Sequence, residues 1–169
     1  MQKTFLSNLD SFNPIQIFLH LDNENKNFIA LRDFLLFLKE NNIEHEEHSV
    51  RAIIRQYDMD KDFCLSLEEM LNLLLPYGHN YLNLNRMHNM SKEEIKTLIT
   101  NQHKLQTNDK NELPKQIKYA VSKVLESELR IVEVFASLAN EMSSAKDFNP
   151  YEIFRILDRE KKNWIDLNK

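Results

Sequence analysis

The run Asp58-Met59-Asp60-Lys61-Asp62-Phe63-Cys64-Leu65-Ser66-Leu67-Glu68-Glu69 carries an oxygen donor at nearly every second residue, the pattern a hard divalent cation requires. Calcium takes about six to eight oxygens. A twelve-residue loop between two helices supplies them from positions 1, 3, 5, 7, 9 and 12, the seventh through its carbonyl and the twelfth as a bidentate Glu. Asp58, Asp60, Asp62, the Cys64 carbonyl, Ser66 acting through a water, and Glu69 fill those places in order, giving one calcium site. Leu65, at the eighth position, offers an apolar side chain through which the loop can pair with another loop. The departure is Phe63 at the sixth position, where the chain turns with positive φ and Gly is the usual residue. A bulky side chain forced into that region costs roughly 1–2 kcal/mol, about a five- to thirty-fold loss of affinity if none of it is relieved. The expected site is therefore weakened.

Other clusters carry less chemistry. Glu44-His45-Glu46-Glu47-His48 puts its histidines three apart rather than the four apart of a zinc-protease helix, and its acids suit the start of a helix. His20, His79, His88 and His103 are scattered, without partners at catalytic spacing. Cys64 lies among acids that raise a thiol pKa, which argues against a reactive nucleophile. No enzyme is expected.

The elements that must position the loop are legible on both sides of it. Val50, Ile53, Ile54 and Tyr57 precede Asp58, and Met70, Leu73 and Leu74 follow Glu69, each set spaced to line one face of a helix. With its two flanking helices, the loop resembles those of the EF-hand superfamily of calmodulin-like proteins. The resemblance implies an all-α fold built from helix-loop-helix hands.

The chain also repeats itself. Asn13 to Leu31 (NPIQIFLHLDNENKNFIAL) matches Asn149 to Leu167 (NPYEIFRILDREKKNWIDL) without a gap. Each copy opens with Asn-Pro, and proline suits the first turn of a helix. Aligning Asp22 and Asp158 with Asp58 places Ile29 and Ile165 at the Leu65 position. The ligands do not survive this alignment. The first loop has Glu24 at the third position, Lys26 at the fifth, Ala30 at the ninth and Asp33 at the twelfth; the last has Glu160, Lys162, Asp166 and Lys169 in the corresponding places. An ammonium has no lone pair to donate, so neither loop is expected to bind calcium. Two readings of Lys26 and Lys162 remain open: each places its charge near the cation position and neutralises Asp22 or Asp158, or each points into solvent, where ion pairs are worth little.

The expected organisation is all-α: a paired EF-hand lobe at 9–76, its hands joined through Asn41-Asn42 and its first hand degenerate; a connector with a short helix at 77–113; a long amphipathic helix at 114–148; and an incomplete third hand at 149–169. Phe34, Phe37 and Leu38 correspond to Met70, Leu73 and Leu74, so both outgoing helices face a shared core. Pro76-Tyr77-Gly78 ends the lobe. Ser91, with Glu94 three residues on, caps a helix reaching about Lys104. Beyond the polar loop from Gln106 to Glu112, Pro114 opens a pattern of Ile117, Val121, Val124, Ile131, Phe135, Leu138 and Met142, widened by Leu125, Leu129 and Val132 and interrupted by Glu128. Such a stripe packs on its own protein or on a partner. The last hand stops at its twelfth position; either the chain continues or a partner covers its apolar face.

Composition narrows the function. With 42% apolar residues the chain can build a core, and a net charge of -4 gives no basic surface for nucleic acid. The single Cys suits a reducing compartment. The longest apolar run, Phe34 to Leu38, is far short of a membrane span, and no secretory pattern opens the chain, so a cytoplasmic location is expected. A lone glycine, Gly78, excludes phosphate loops and dinucleotide fingerprints. In layout the chain resembles EF-hand-pair proteins of ciliated protists. That resemblance implies an adaptor built into a cytoskeletal assembly, in the ciliary axoneme or on microtubules, with other proteins as partners. The alternative is a calcium sensor of calmodulin type that binds target helices.

Overall fold

A computed structural model describes residues 2–76, 93, 94, 97, 99–101 and 112–158. The chain forms two compact units, Met1–Val132 and Glu133–Lys169. Among the described residues the fold is all-α, with no strand and no helix long and apolar enough to cross a membrane. The helices described from end to end are α1 (Gln2–Ser7), α2 (Pro14–Leu21), α3 (Leu31–Glu40), α4 (Glu47–Tyr57), α5 (Leu67–Leu74), α6 (Lys115–Ser144) and α7 (Pro150–Leu157), and residues 93, 94, 97 and 99–101 are helical as well. The connector from Tyr77 to Met90, the Ser91 cap, the Gln106–Asn111 part of the polar loop and the liganding positions of the last loop beyond Asp158 lie outside the described residues.

The helix ends follow from local chemistry. Asn13 caps α2 by accepting the Ile15 and Gln16 N–H groups at 3.1 and 3.2 Å, and Asn149 caps α7 through the Tyr151 and Glu152 N–H groups at 3.0 and 3.4 Å; both helices have Pro in the first turn. The Asp N–H groups that close α2, α4 and α7 each bond four residues back at 2.8 Å: Asp22 to Phe18, Asp58 to Ile54, Asp158 to Phe154. The repeat in the sequence is thus a repeat in backbone geometry. Helix α3 ends at Asn41-Asn42 in a Schellman turn, with Asn42 at φ 54°, Asn42 N–H on the Lys39 carbonyl and Ile43 N–H on the Leu38 carbonyl. Asparagine takes the left-handed position that glycine usually holds.

Within the first unit the core gathers the apolar faces expected from periodicity. Phe34, Phe37 and Leu38 of α3, Val50, Ile53 and Ile54 of α4, and Met70, Leu73 and Leu74 of α5 are all buried, with Ile17, Phe18 and Leu21 of α2. Helices α2 and α3 pack on each other, as do α4 and α5, and the two pairs meet through α2 against α5 and α3 against α4. Leu6 of α1 and the face of α6 carrying Ile117, Val121, Val124, Leu125 and Leu129 belong to the same cluster. The first half of the long helix therefore packs on its own protein. Past Val132, which still packs against the core in part, the stripe emerges: Val134, Phe135, Leu138 and Met142 are exposed.

Candidate metal centre

The Asp58 loop is held by its own carboxylates. Asp58 Oδ1 accepts the Lys61 and Asp62 N–H groups at 2.7 and 3.2 Å, and its Oδ2 accepts the Phe63 N–H at 2.8 Å. Those bonds wind the loop tightly, with Lys61 at φ 64° and Phe63 at φ 65°. The Phe63 ring itself is exposed. Glu69 and Ser66 form a capping box at the start of α5: the Ser66 N–H reaches Glu69 Oε2 at 2.8 Å, and the Glu69 N–H points back to Ser66 Oγ at 3.4 Å. The Ser66 hydroxyl also donates to Glu69 Oε2 at 2.7 Å, and the Met59 N–H to Oε1 at 2.7 Å. Burial pushes the Glu69 carboxyl up, but the bonds from Ser66, Met59 and Asp60 outweigh it and hold it below the ordinary carboxylate value. Glu69 is thus buried as a carboxylate.

Among the described residues, Asp58, Asp60 and Glu69 form the cluster able to hold a metal, their ligand oxygens all within 4.8 Å of one another. Two oxygens bound to one calcium at its usual distances stand at most about 5.2 Å apart, so this spacing fits the ion. The other expected ligands are in the loop but otherwise engaged. Asp62 Oδ1 accepts the Cys64 N–H at 2.8 Å, and Ser66 serves the cap. Cys64 is half-buried, and burial, then the charges of Asp62 and Asp58, push its thiol pKa up, away from nucleophile chemistry. In the His45 cluster, the His45 Nδ1 bonds the Ile43 carbonyl at 2.7 Å.

The first loop has the same frame and a different occupant. Asn25 and Asn27 repeat the positive φ of Lys61 and Phe63, at 54° and 65°. Asp22, buried at the first position, accepts the Lys26 and Asn27 N–H groups at 2.9 and 2.7 Å. Asp33 accepts the Ala30 N–H at 2.8 Å as Glu69 accepts that of Ser66; Ala30 has no side-chain acceptor, so only this half of a capping box forms. The Lys26 ammonium bonds Asp33 at 2.8 and 3.1 Å and Glu24 at 3.3 Å. Of the two readings of Lys26, pairing with Asp22 or exposure to solvent, neither is what the loop shows: both Asp22 oxygens take backbone amides, and the ammonium goes to the third and twelfth positions. Main-chain bonds between Ile29 and Leu65, 2.8 Å in each direction, join the two loops at their eighth positions in a single antiparallel bridge.

A third group was missed from sequence. Lys3 of α1 bonds Glu128 of α6 at 2.8 Å and the Tyr57 hydroxyl at 3.1 Å, while that hydroxyl donates to Glu128 at 3.0 Å. Tyr57 is the residue before Asp58, so the closed triad ties the Asp58 loop to α1 and α6. No protein-family model, curated protein or solved structure matches this chain. The interpretation of the site rests on its geometry.

Proposed function

We propose that the chain is an EF-hand-type adaptor, with one calcium site of modest affinity at Asp58, Asp60, Asp62, the Cys64 carbonyl, Ser66 and Glu69, built into a protein assembly through the exposed face of α6. One observation carries this reading: the apolar stripe of α6 is buried in the first unit as far as Leu129, still packs on the core in part at Val132, and is exposed from Val134 on. A helix whose first half completes its own core and whose second half offers Val134, Phe135, Leu138 and Met142 to solvent has the form of a tether with a docking end. The two loops joined at Ile29 and Leu65 support an EF-hand pair, and the Asn149 repeat supports a further degenerate hand. Placement in the cytoskeleton, on microtubules or in a ciliary axoneme, rests on the resemblance in layout.

A bound calcium ion would supply positive charge among carboxylates now balanced by loop amides. A second reading, a calcium sensor of calmodulin type, draws on the triad, because Tyr57 links the loop to the helix that lies in the lobe. Calorimetric titration of the protein and of Glu69→Gln separates the two. Millimolar binding, or none, with little heat-capacity change fits the adaptor. Micromolar binding with a large heat-capacity change, lost in Glu69→Gln, fits the sensor.

A further inference from the structure

We infer that the Lys26 ammonium is the built-in cation of the first loop, holding it in a cation-loaded shape without metal and, through the Ile29–Leu65 bridge, presetting the loop that follows. The inference rests on the proposed reading of both loops as cation loops. Three observations carry it.

The ammonium sits where an ion's charge is needed. It touches Glu24 and Asp33, the equivalents of Asp60 and Glu69, which together with Asp58 make up the metal cluster of the second loop. Its main partner is buried: the side chains of Lys26 and Asp33 are 21% and 3% exposed. A carboxylate so enclosed is costly unless a cation or hydrogen bonds compensate it. The second observation is the backbone. Positive φ at the fourth and sixth positions, first-position carboxylates wrapped by loop amides, and twelfth-position carboxylates returned to the ninth N–H recur in both loops. A loop with Lys at its fifth position has thus kept the shape of the loop that kept its ligands. Third, burial works against the Lys26 charge, yet hydrogen bonds and attraction from Asp33 and Glu24 outweigh it and leave its pKa raised. The charge is retained at every ordinary pH. With the first loop fixed, the bridge fixes Leu65, which sits between the seventh-position and ninth-position ligands of the second loop.

Thermal unfolding of the full chain in chelator tests this. Lys26→Met keeps the stem and removes the charge, and its Tm is expected to fall by about 3–8 °C. Lys26→Arg should recover at least half of that loss, and Lys61→Met, which removes an exposed loop lysine, should stay within about 1 °C of the parent. Lys26→Asp in a Glu69→Gln background restores an acidic first loop while disabling the second. Millimolar calcium should raise the Tm of this double variant and leave that of Glu69→Gln unchanged. An unaltered Tm for Lys26→Met overturns the inference, and so does a Lys26→Asp, Glu69→Gln protein indifferent to calcium, which decides the matter if Lys26→Met fails to fold. Failure of the Asp58 loop to bind calcium would count against the proposed function and leave the chelator result standing.

Discussion

At the scale of the residue, the sixth loop positions set two solutions side by side. Asn27 and Phe63 share φ 65°, but asparagine visits the left-handed region with little penalty, whereas phenylalanine meets the Cβ clash in full. The tolerant residue stands in the loop that carries Lys26 at its fifth position. The turn at Phe63 is fixed by the chain's own bonds, since its N–H is taken by Asp58 Oδ2. Its strain is therefore carried by the folded protein, and the affinity penalty expected from sequence becomes a stability penalty. Phe63→Asn should raise stability by roughly 0.5–1 kcal/mol, because the exposed ring gives up little packing, and should change calcium affinity by less than about threefold. Thermal unfolding and calorimetry on the same pair of proteins check this. Unchanged Tm with an affinity gain of tenfold would return the strain to the binding step. The acidic residues Asp58, Asp60 and Glu69, which the structure brings together, were legible because loop spacing is local in sequence. The Lys26 partners were not, because choosing between Asp22 and Asp33 requires knowing that the Asp22 oxygens are already taken by amides.

At the scale of the element, helix existence and faces followed from short-range signals. Asn-Pro starts, the Asn41-Asn42 stop and three-and-four spacing all appear as expected. What escaped was α1 and the meaning of Glu128, which in sequence only interrupts an apolar stripe. Its partners Tyr57 and Lys3 are remote along the chain, so no local pattern announces them. Glu128 is buried, and its bonds to Lys3 and Tyr57 make the interruption tolerable. Burial depresses the Lys3 pKa, yet the bonds to Glu128 and Tyr57 prevail and leave it raised above the ordinary lysine value. A raised lysine stabilises the fold below its unfolded pKa and loses that contribution as pH climbs through the folded one, so the triad holds throughout the neutral range. Removing one member should cost more than removing the charges together. Lys3→Met is expected to destabilise by roughly 1–3 kcal/mol because the Glu128 carboxylate keeps only Tyr57. Lys3→Met with Glu128→Leu should recover most of that. Denaturant unfolding of the single and double variants measures the coupling, and additive losses would mean that the pair is not energetically linked.

At the scale of the whole molecule, one sequence pattern occurs in two environments. Ile17 and Leu21 are fully buried in the first unit, while their counterparts Ile153 and Leu157 are 37% and 59% exposed in the second, although both copies begin and end their helices with the same bonds. The pattern specified the helix; it did not contain the surface that would cover it. The same holds along α6, whose apolar periodicity resumes after Glu128 and continues across the change from buried to exposed. Polar substitution should therefore act differently on its two halves. Phe135→Glu with Leu138→Glu removes apolar groups already 67% and 47% exposed and replaces them with a good helix former, so stability should shift by less than about 1 kcal/mol. Val121→Glu, placing a charge at a fully buried position, should unfold the first unit or cost at least about 3 kcal/mol. If the exposed half is the docking end of an adaptor on microtubules, the wild-type protein sediments with them and the Phe135, Leu138 double variant stays in the supernatant while remaining folded. A double variant that still sediments would move the docking surface elsewhere. A wild-type protein that never sediments would remove microtubules as the partner and leave the stability contrast between the two halves intact.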